Sequence, residues 1–227
     1  CHQTSGMFDI TVAPLVNYWG FGPDKTKKKK SYDFIQSDYV IGCDKIAIKN
    51  KKLIKSDSVL IDLNGIAQGF TSDYIAKYFF LEEGVKDFMI EIGGEIHCRG
   101  NNLGNGWKIG IDSPNNKKSE FAFVLNLNNI SLATSGSYRN YYYNDSVKIN
   151  HTISPKTLEP TSNKLLSTTI LHSNCMSADA YATACMALGL EQSKVFLQEN
   201  NIVGCLIYIE NQDTLSYFSP GFSSFLH

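Results

Sequence analysis

The pattern of apolar and polar residues predicts short strands interrupted by a few helices. Strand-like runs occupy residues 39–41, 46–48, 59–62, 88–92, 107–111, 121–127, 166–171 and 203–209. Helical patterns occupy residues 8–19, 69–83, 178–188 and 191–199, with Ser177 placed to cap the third. Together these elements predict an α+β fold, a single domain of mostly antiparallel strands with inserted helices.

Composition and charge narrow the class of protein. The 227 residues are 43% hydrophobic, which is enough to build a core without disulfide support. The formal net charge of -1 provides no general attraction to nucleic acid or anionic lipid. Residues 23–31 are rich in lysine, but no aromatic residues are interleaved, so we interpret them as a solvated loop. We therefore expect no nucleic-acid partner.

The cysteines are dispersed and form no C-x-x-C pair, which argues against a zinc site or a small disulfide scaffold. They occupy positions 1, 43, 98, 175, 185 and 205. We expect free thiols that pack as small apolar side chains. The opening Cys1-His2-Gln3 is not typical of a native start, so we expect that a preceding segment has been removed.

One helix offers candidate metal ligands. Asp179 and Thr183 are four residues apart and therefore lie on one face of the predicted helix. Carboxylate and hydroxyl oxygens suit magnesium better than zinc. The spacing alone favours a structural interpretation, in which Asp179 stabilises a helix N-terminus by its charge and Thr183 is a neutral surface residue.

Three glycine-containing segments, residues 62–69, 91–95 and 133–139, have the composition of loops that approach a nucleotide. Each of them also fits an ordinary turn. His151 lies shortly before Pro155 and is a candidate general base, although a lone histidine is more often structural.

Taken together, these segments resemble the ApbE family, the FAD:protein FMN transferases. The matching segments follow the family's order between roughly residues 5 and 189. They are residues 5–9, 14–17, 19–22, 62–69, 92–96, 107–112 with Pro114, 133–139, His151 and 177–183.

The resemblance implies a role for individual side chains and backbone groups. The magnesium ligands would be Ala67 through its carbonyl, Asp179 and Thr183. His151 would be the general base. The FAD-binding residues would be Met7, Phe8, Asp9, Asn64, Phe70, Gly93, Gly94 and Ile153.

The resemblance also implies a reaction and a setting. FMN would move from FAD to a Thr or Ser hydroxyl of another protein, with magnesium as cofactor and AMP as the second product. The acceptor would be a flavin-carrying subunit of a bacterial membrane electron-transfer complex. The protein would lie in the cell envelope, as a periplasmic protein or a lipoprotein, and residues 1–227 would form a flavin transferase domain lacking the family's N-terminal portion. The alternatives are hydrolysis of FAD to FMN and AMP, and FAD binding without catalysis.

The chain departs from the family pattern at three positions. Ser154 stands where an Asp is usual, and Leu158 stands where a Gly is usual. Gln68 stands where a Lys is common, which removes a positive charge beside the phosphates. Because Ser154 and Leu158 both follow His151, we expect the loop after His151 to differ in shape from that of the family.

Overall fold

A computed structural model of the chain describes residues 1–23, 40–114, 120–138 and 140–227. The chain divides into two compact units. The first unit consists of Cys1–Leu63 and Arg139–Ser162, and the second of Asn64–Tyr138 and Asn163–His227. Within the described ranges, no helix is long and apolar enough to cross a membrane.

The helices and strands are numbered in chain order over the described residues. The helices are α1 (Ala13–Tyr18), α2 (Ala67–Leu81), α3 (Cys175–Leu188) and α4 (Leu190–Glu199). The first six strands are β1 (Ala47–Lys49), β2 (Lys52–Ile54), β3 (Phe88–Ile92), β4 (Glu95–Arg99), β5 (Trp107–Asp112) and β6 (Phe121–Leu127). The others are β7 (Ser131–Gly136), β8 (Tyr141–Asn144), β9 (Val147–Asn150), β10 (Leu165–His172), β11 (Val203–Glu210) and β12 (Asp213–Phe218).

The second unit is built on an antiparallel sheet with the strand order β12-β11-β10-β7-β4-β3. Successive residues of a strand face opposite sides of a sheet, and both faces here are covered. Leu132 packs on one side with β5 and β6. Its neighbour Ala133 packs on the other side with α3 and α4. The sheet is therefore the central layer between a hairpin and helices.

The first unit contains α1 and two hairpins, β1–β2 and β8–β9. A short 3-10 turn, Ile10–Val12, leads into α1, and Pro14 occupies its first turn, where proline is well tolerated. Leu15 and Ile153 form the buried centre of this unit's apolar cluster.

The cysteines correct one expectation. Cys1 and Cys43 of the first unit form a disulfide, so the prediction of free thiols was wrong for this pair. Sequence spacing did not reveal it because the partners are 42 positions apart in the chain. The remaining cysteines, Cys98, Cys175, Cys185 and Cys205, are free and buried, as expected.

The predicted α+β class with mostly antiparallel strands and inserted helices is confirmed. The predicted helices correspond to α1–α4, and the strand predictions at 46–48, 88–92, 107–111, 121–127, 166–171 and 203–209 correspond to observed strands.

Other element predictions were wrong. Residues 59–62 and 40–41 are not strands, while residue 39 and residues 24–31 of the lysine-rich segment lie outside the described part of the chain. The cap of α3 is Asn174, not Ser177, because the Asn174 side chain accepts a hydrogen bond from the Ser177 N–H. Residues 133–136 belong to the sheet strand β7 instead of a loop.

Candidate functional site

The candidate metal ligands lie in the second unit, where α2 packs on α3. Asp179 of α3 is only 3% exposed. Its Oδ2 accepts a hydrogen bond from the backbone N–H of Gly69 at 3.1 Å. This contact places the carboxylate at the first turn of α2, which begins at Ala67.

Gly69 is what permits this close approach of the helices. A Cβ at this position would lie 2.4 Å from the carbonyl oxygen of Cys175 and 2.8 Å from the Cα of Met176. Such distances are too short for any side chain, because the obstructing atoms belong to the backbone. Gly69 was predicted as part of a ligand-binding turn. The structure shows that the packing of α2 on α3 requires a glycine at this position.

Thr183 lies one turn after Asp179 in α3, as the spacing predicted. Its side chain is half-buried, and its Oγ1 lies 3.3 Å from the Oγ of Ser135 in β7. The carbonyl of Ala67 accepts a hydrogen bond from the Thr71 hydroxyl at 2.7 Å, so a cation there would share or displace that bond. All three predicted ligands offer oxygen atoms, the donor set that magnesium prefers.

Two buried acidic side chains of this region, Asp179 and Glu95, have surroundings that disfavour their charged forms. Burial raises the pKa of Asp179 to about 6, although the Gly69 N–H partly offsets the effect. Burial, and then repulsion from Asp179, raises the pKa of Glu95 to about 7, with a smaller contribution from Glu91. A bound divalent cation would stabilise the charged forms of both carboxylates. The residues present therefore fit a magnesium ion.

Gly93 and Gly94 form the turn between β3 and β4, with φ of 66° and 106°. The sequence allowed either an ordinary turn or a loop that approaches a nucleotide, and the structure shows a turn at these residues. A Cβ on Gly93 would lie 2.2 Å from Nε2 of Gln68, so the Gln68 side chain lies directly against the turn. Backbone binding of a nucleotide by these glycines stays a prediction.

Asp73 is a structural residue of this region that sequence reasoning missed. One carboxylate oxygen accepts the Cys175 N–H at 2.8 Å, and the other accepts the Met176 N–H at 2.9 Å. Nδ1 of His97 in β4 lies 2.8 Å from Asp73. Burial alone would raise the pKa of Asp73, but the hydrogen bonds from His97 and the two backbone N–H groups outweigh it and lower the pKa. The carboxylate thus joins α2, β4 and the start of α3.

Two predicted FAD-binding residues of the second unit are exposed. Asn64 lies in the turn before α2, and Phe70 is 55% exposed on that helix. The Phe70 ring lies 6.1 Å from that of Tyr74. Their contact with FAD stays a prediction.

The candidate base, His151, lies in the first unit. Its Nδ1 is 3.1 Å from the carbonyl oxygen of Asn140. Because a carbonyl oxygen only accepts hydrogen bonds, Nδ1 carries the proton, and Nε2 has a free lone pair. Burial lowers the pKa of His151, and the Asn140 carbonyl opposes this shift only in part. The imidazole is therefore neutral at pH 7 and is able to accept a proton.

The loop after His151 accommodates the departures from the family pattern. The Ser154 hydroxyl accepts the Thr157 N–H at 3.2 Å, a turn-forming role that an Asp side chain also fills. Leu158 adopts φ of 64°, a conformation that glycine takes without strain. Its carbonyl accepts the Trp19 indole N–H at 3.2 Å, which ties the loop to the end of α1.

The remaining predicted flavin-binding residues of the first unit are buried. Ile153 packs beside Leu15, and Met7 and Phe8 are also enclosed. Asp9 accepts hydrogen bonds from the backbone N–H and the hydroxyl of Thr11, at 2.8 and 2.7 Å. These contacts are internal to the unit, and the flavin-binding role of these residues stays a prediction.

The ApbE family model matches residues 1–207. The FAD:protein FMN transferase of Vibrio cholerae is 34% identical over 98% of this chain and 68% of its own length. That of Escherichia coli K12 is 31% identical over 99% of this chain and 66% of its own length. The chain thus spans about two thirds of these relatives.

Solved structures agree with the sequence comparison. The flavin transferase ApbE from Vibrio cholerae superposes with a TM-score of 0.87 at 33% identity, covering 99% of this chain and 72% of that one. The ApbE protein from Thermotoga maritima has a TM-score of 0.85 at 26% identity, covering 100% and 74%. The chain belongs to the ApbE family of FAD:protein FMN transferases, which makes it a transferase.

Proposed function

We propose that this protein transfers FMN from FAD to a Thr or Ser hydroxyl of a flavin-accepting protein, with magnesium bound by Ala67, Asp179 and Thr183. The observation that supports the metal assignment is the buried Asp179 carboxylate at the first turn of α2, one helical turn from the Thr183 hydroxyl. Bound magnesium would supply neutralisation of the pyrophosphate charge.

The protein's own groups have distinct tasks in this reaction. Asp179, Thr183 and the Ala67 carbonyl would hold the cation, which would supply positive charge to the pyrophosphate. The acceptor oxygen attacks the phosphorus of the FMN half, a new P–O bond forms, and the bond to AMP breaks. Nε2 of His151 takes the hydroxyl proton, a contribution of typically 10²–10⁴-fold in rate. Residues Met7, Phe8, Asp9, Asn64, Phe70, Gly93, Gly94 and Ile153 bind FAD in this proposal.

The acceptor and the location form a second part of the proposal. The acceptor is a flavin-carrying subunit of a bacterial membrane electron-transfer complex, and the protein acts in the cell envelope, as a periplasmic protein or a lipoprotein. Family membership is what supports both statements.

The test measures AMP release by chromatography after incubation with FAD and magnesium, with and without an acceptor subunit. We expect one AMP per modified acceptor, and loss of both products with EDTA or in Asp179→Ala. The exposed Glu191→Ala on α4 is the matched control and should behave as the wild type. Rapid AMP release without acceptor would instead identify an FAD hydrolase, and FAD retention without AMP would identify a binding protein.

A further inference from the structure

Glu95 is a buried acid without a complete set of partners. It is the first residue of β4, directly after the Gly93–Gly94 turn, and only 7% of it is exposed. Among the residues that the structure describes, none forms a hydrogen bond with its Oε2 atom. A buried carboxylate oxygen in this state is costly, and such a group calls for a ligand or a functional explanation.

The neighbours of Glu95 increase this cost. The charged side chains that act on it among the described residues are Asp179 of α3 and Glu91 of β3, both of them acids. Two buried acids that repel each other, Glu95 and Asp179, therefore lie in the same part of the second unit. A divalent cation is the ligand that neutralises both charges at once.

Gln68 provides no opposite charge. Its amide lies against Gly93, and the Oε2 of Glu95 is 3.4 Å from the position of a Cβ on the same glycine. Gln68 directly follows Ala67, a ligand of the proposed metal site. Glu95 thus lies close to the residues assigned to the cation on α2 and on α3.

We propose that Glu95 belongs to the divalent-cation site, where its Oε2 binds the ion or a water molecule that the ion holds. This inference rests on the proposed function, because it extends the site of Ala67, Asp179 and Thr183. The site then carries two negative side chains, which balance the two positive charges of the ion.

The test is a Mn²⁺ titration of the protein without FAD, with free Mn²⁺ followed by electron paramagnetic resonance and displaced by Mg²⁺. In Glu95→Gln we expect the dissociation constant to rise at least about 10-fold. The matched control is Glu91→Gln, an exposed acid in the same hairpin, which should stay within about twofold of the wild type.

A second readout measures the metal-free protein. Because Glu95→Gln removes a buried charge, its melting temperature at pH 8 should rise by about 2–4 °C, and added Mn²⁺ should raise it less than in the wild type. Wild-type Mn²⁺ affinity in Glu95→Gln would overturn the inference, while loss of binding in Asp179→Ala would still support the proposed function. Unchanged binding in both variants would overturn both.

Discussion

His151 is held in one tautomer by a single backbone contact. The backbone carbonyl of Asn140 accepts a hydrogen bond from Nδ1 of His151. Nε2 is therefore the ring nitrogen able to take a proton. We expect His151→Gln to lower the rate of FMN transfer by about 10²–10⁴-fold, with FAD and Mn²⁺ binding unchanged. Fluorescence detection of flavin on the acceptor measures this, with the exposed His227→Gln as control. A transfer rate that stays at the wild-type level would remove His151 from the mechanism.

Asp179 gives the metal-free protein a defined pH dependence. Its pKa is about 6 in the folded protein against 3.8 for an unperturbed group. A raised pKa means that the stabilising contribution of the protonated form is complete below about pH 4 and is lost as the pH rises through 6. We expect Asp179→Asn to match the wild type at pH 4 and to become the more stable protein by pH 7.

Urea unfolding at several pH values measures this difference without metal. The comparison isolates Asp179 together with its repulsion of Glu95, because the contributions of groups that do not interact with Asp179 cancel between the two proteins. Saturating magnesium should reverse the order at pH 7, since the wild type alone would keep its full affinity for the ion. A difference between the two proteins that does not vary with pH would contradict the buried, ionisable environment described for Asp179.

At the scale of elements, the contact between α2 and α3 sets the geometry of the metal site. Gly69→Ala would place a Cβ against the backbone of Cys175 and Met176. We expect a loss of about 2 kcal/mol in the free energy of unfolding, since this overpacking outweighs the better helix propensity of Ala. Urea denaturation measures the loss, and Mn²⁺ affinity should fall with it.

The control for this change is Lys77→Ala, an exposed position in the same helix, which should shift stability by no more than about 0.5 kcal/mol. If Gly69→Ala were as stable as the wild type and bound Mn²⁺ equally well, close packing of the two helices would not be what positions Asp179.

The elements also indicate what the sequence can predict. Strands β6 and β11 were predicted because each is a short, nearly continuous run of apolar residues, which is typical of a buried strand. β7 was missed because Ser-Leu-Ala-Thr-Ser-Gly has the composition of a loop, and its burial comes from neighbouring strands and α3. Local propensity contains no information about such long-range pairing.

The same limit applies to the site. The helical spacing predicted that Asp179 and Thr183 share one face. Their role as metal ligands was implied by the family resemblance and stays a prediction. Glu95 was missed because its importance depends on burial, which the sequence does not show. Asp73 was missed because its partners are distant in sequence, such as the Cys175 N–H that donates a hydrogen bond to it. The Cys1–Cys43 disulfide belongs to the same class of long-range feature.

At the scale of the whole molecule, the family fold extends over both units, since the matched structures cover 99% or more of the chain. The proposed cation ligands belong to the second unit, and the candidate base belongs to the first. The proposed reaction depends most on the cation site, because without a cation nothing among the assigned residues neutralises the charge of the pyrophosphate.

The most direct test is therefore anomalous diffraction from a crystal of this protein soaked with Mn²⁺, which replaces magnesium at oxygen-rich sites. We expect an anomalous peak that marks an ion coordinated by the Ala67 carbonyl, the Asp179 carboxylate and the Thr183 hydroxyl. A fully soaked crystal with no peak there, or with its strongest peak elsewhere, would contradict it.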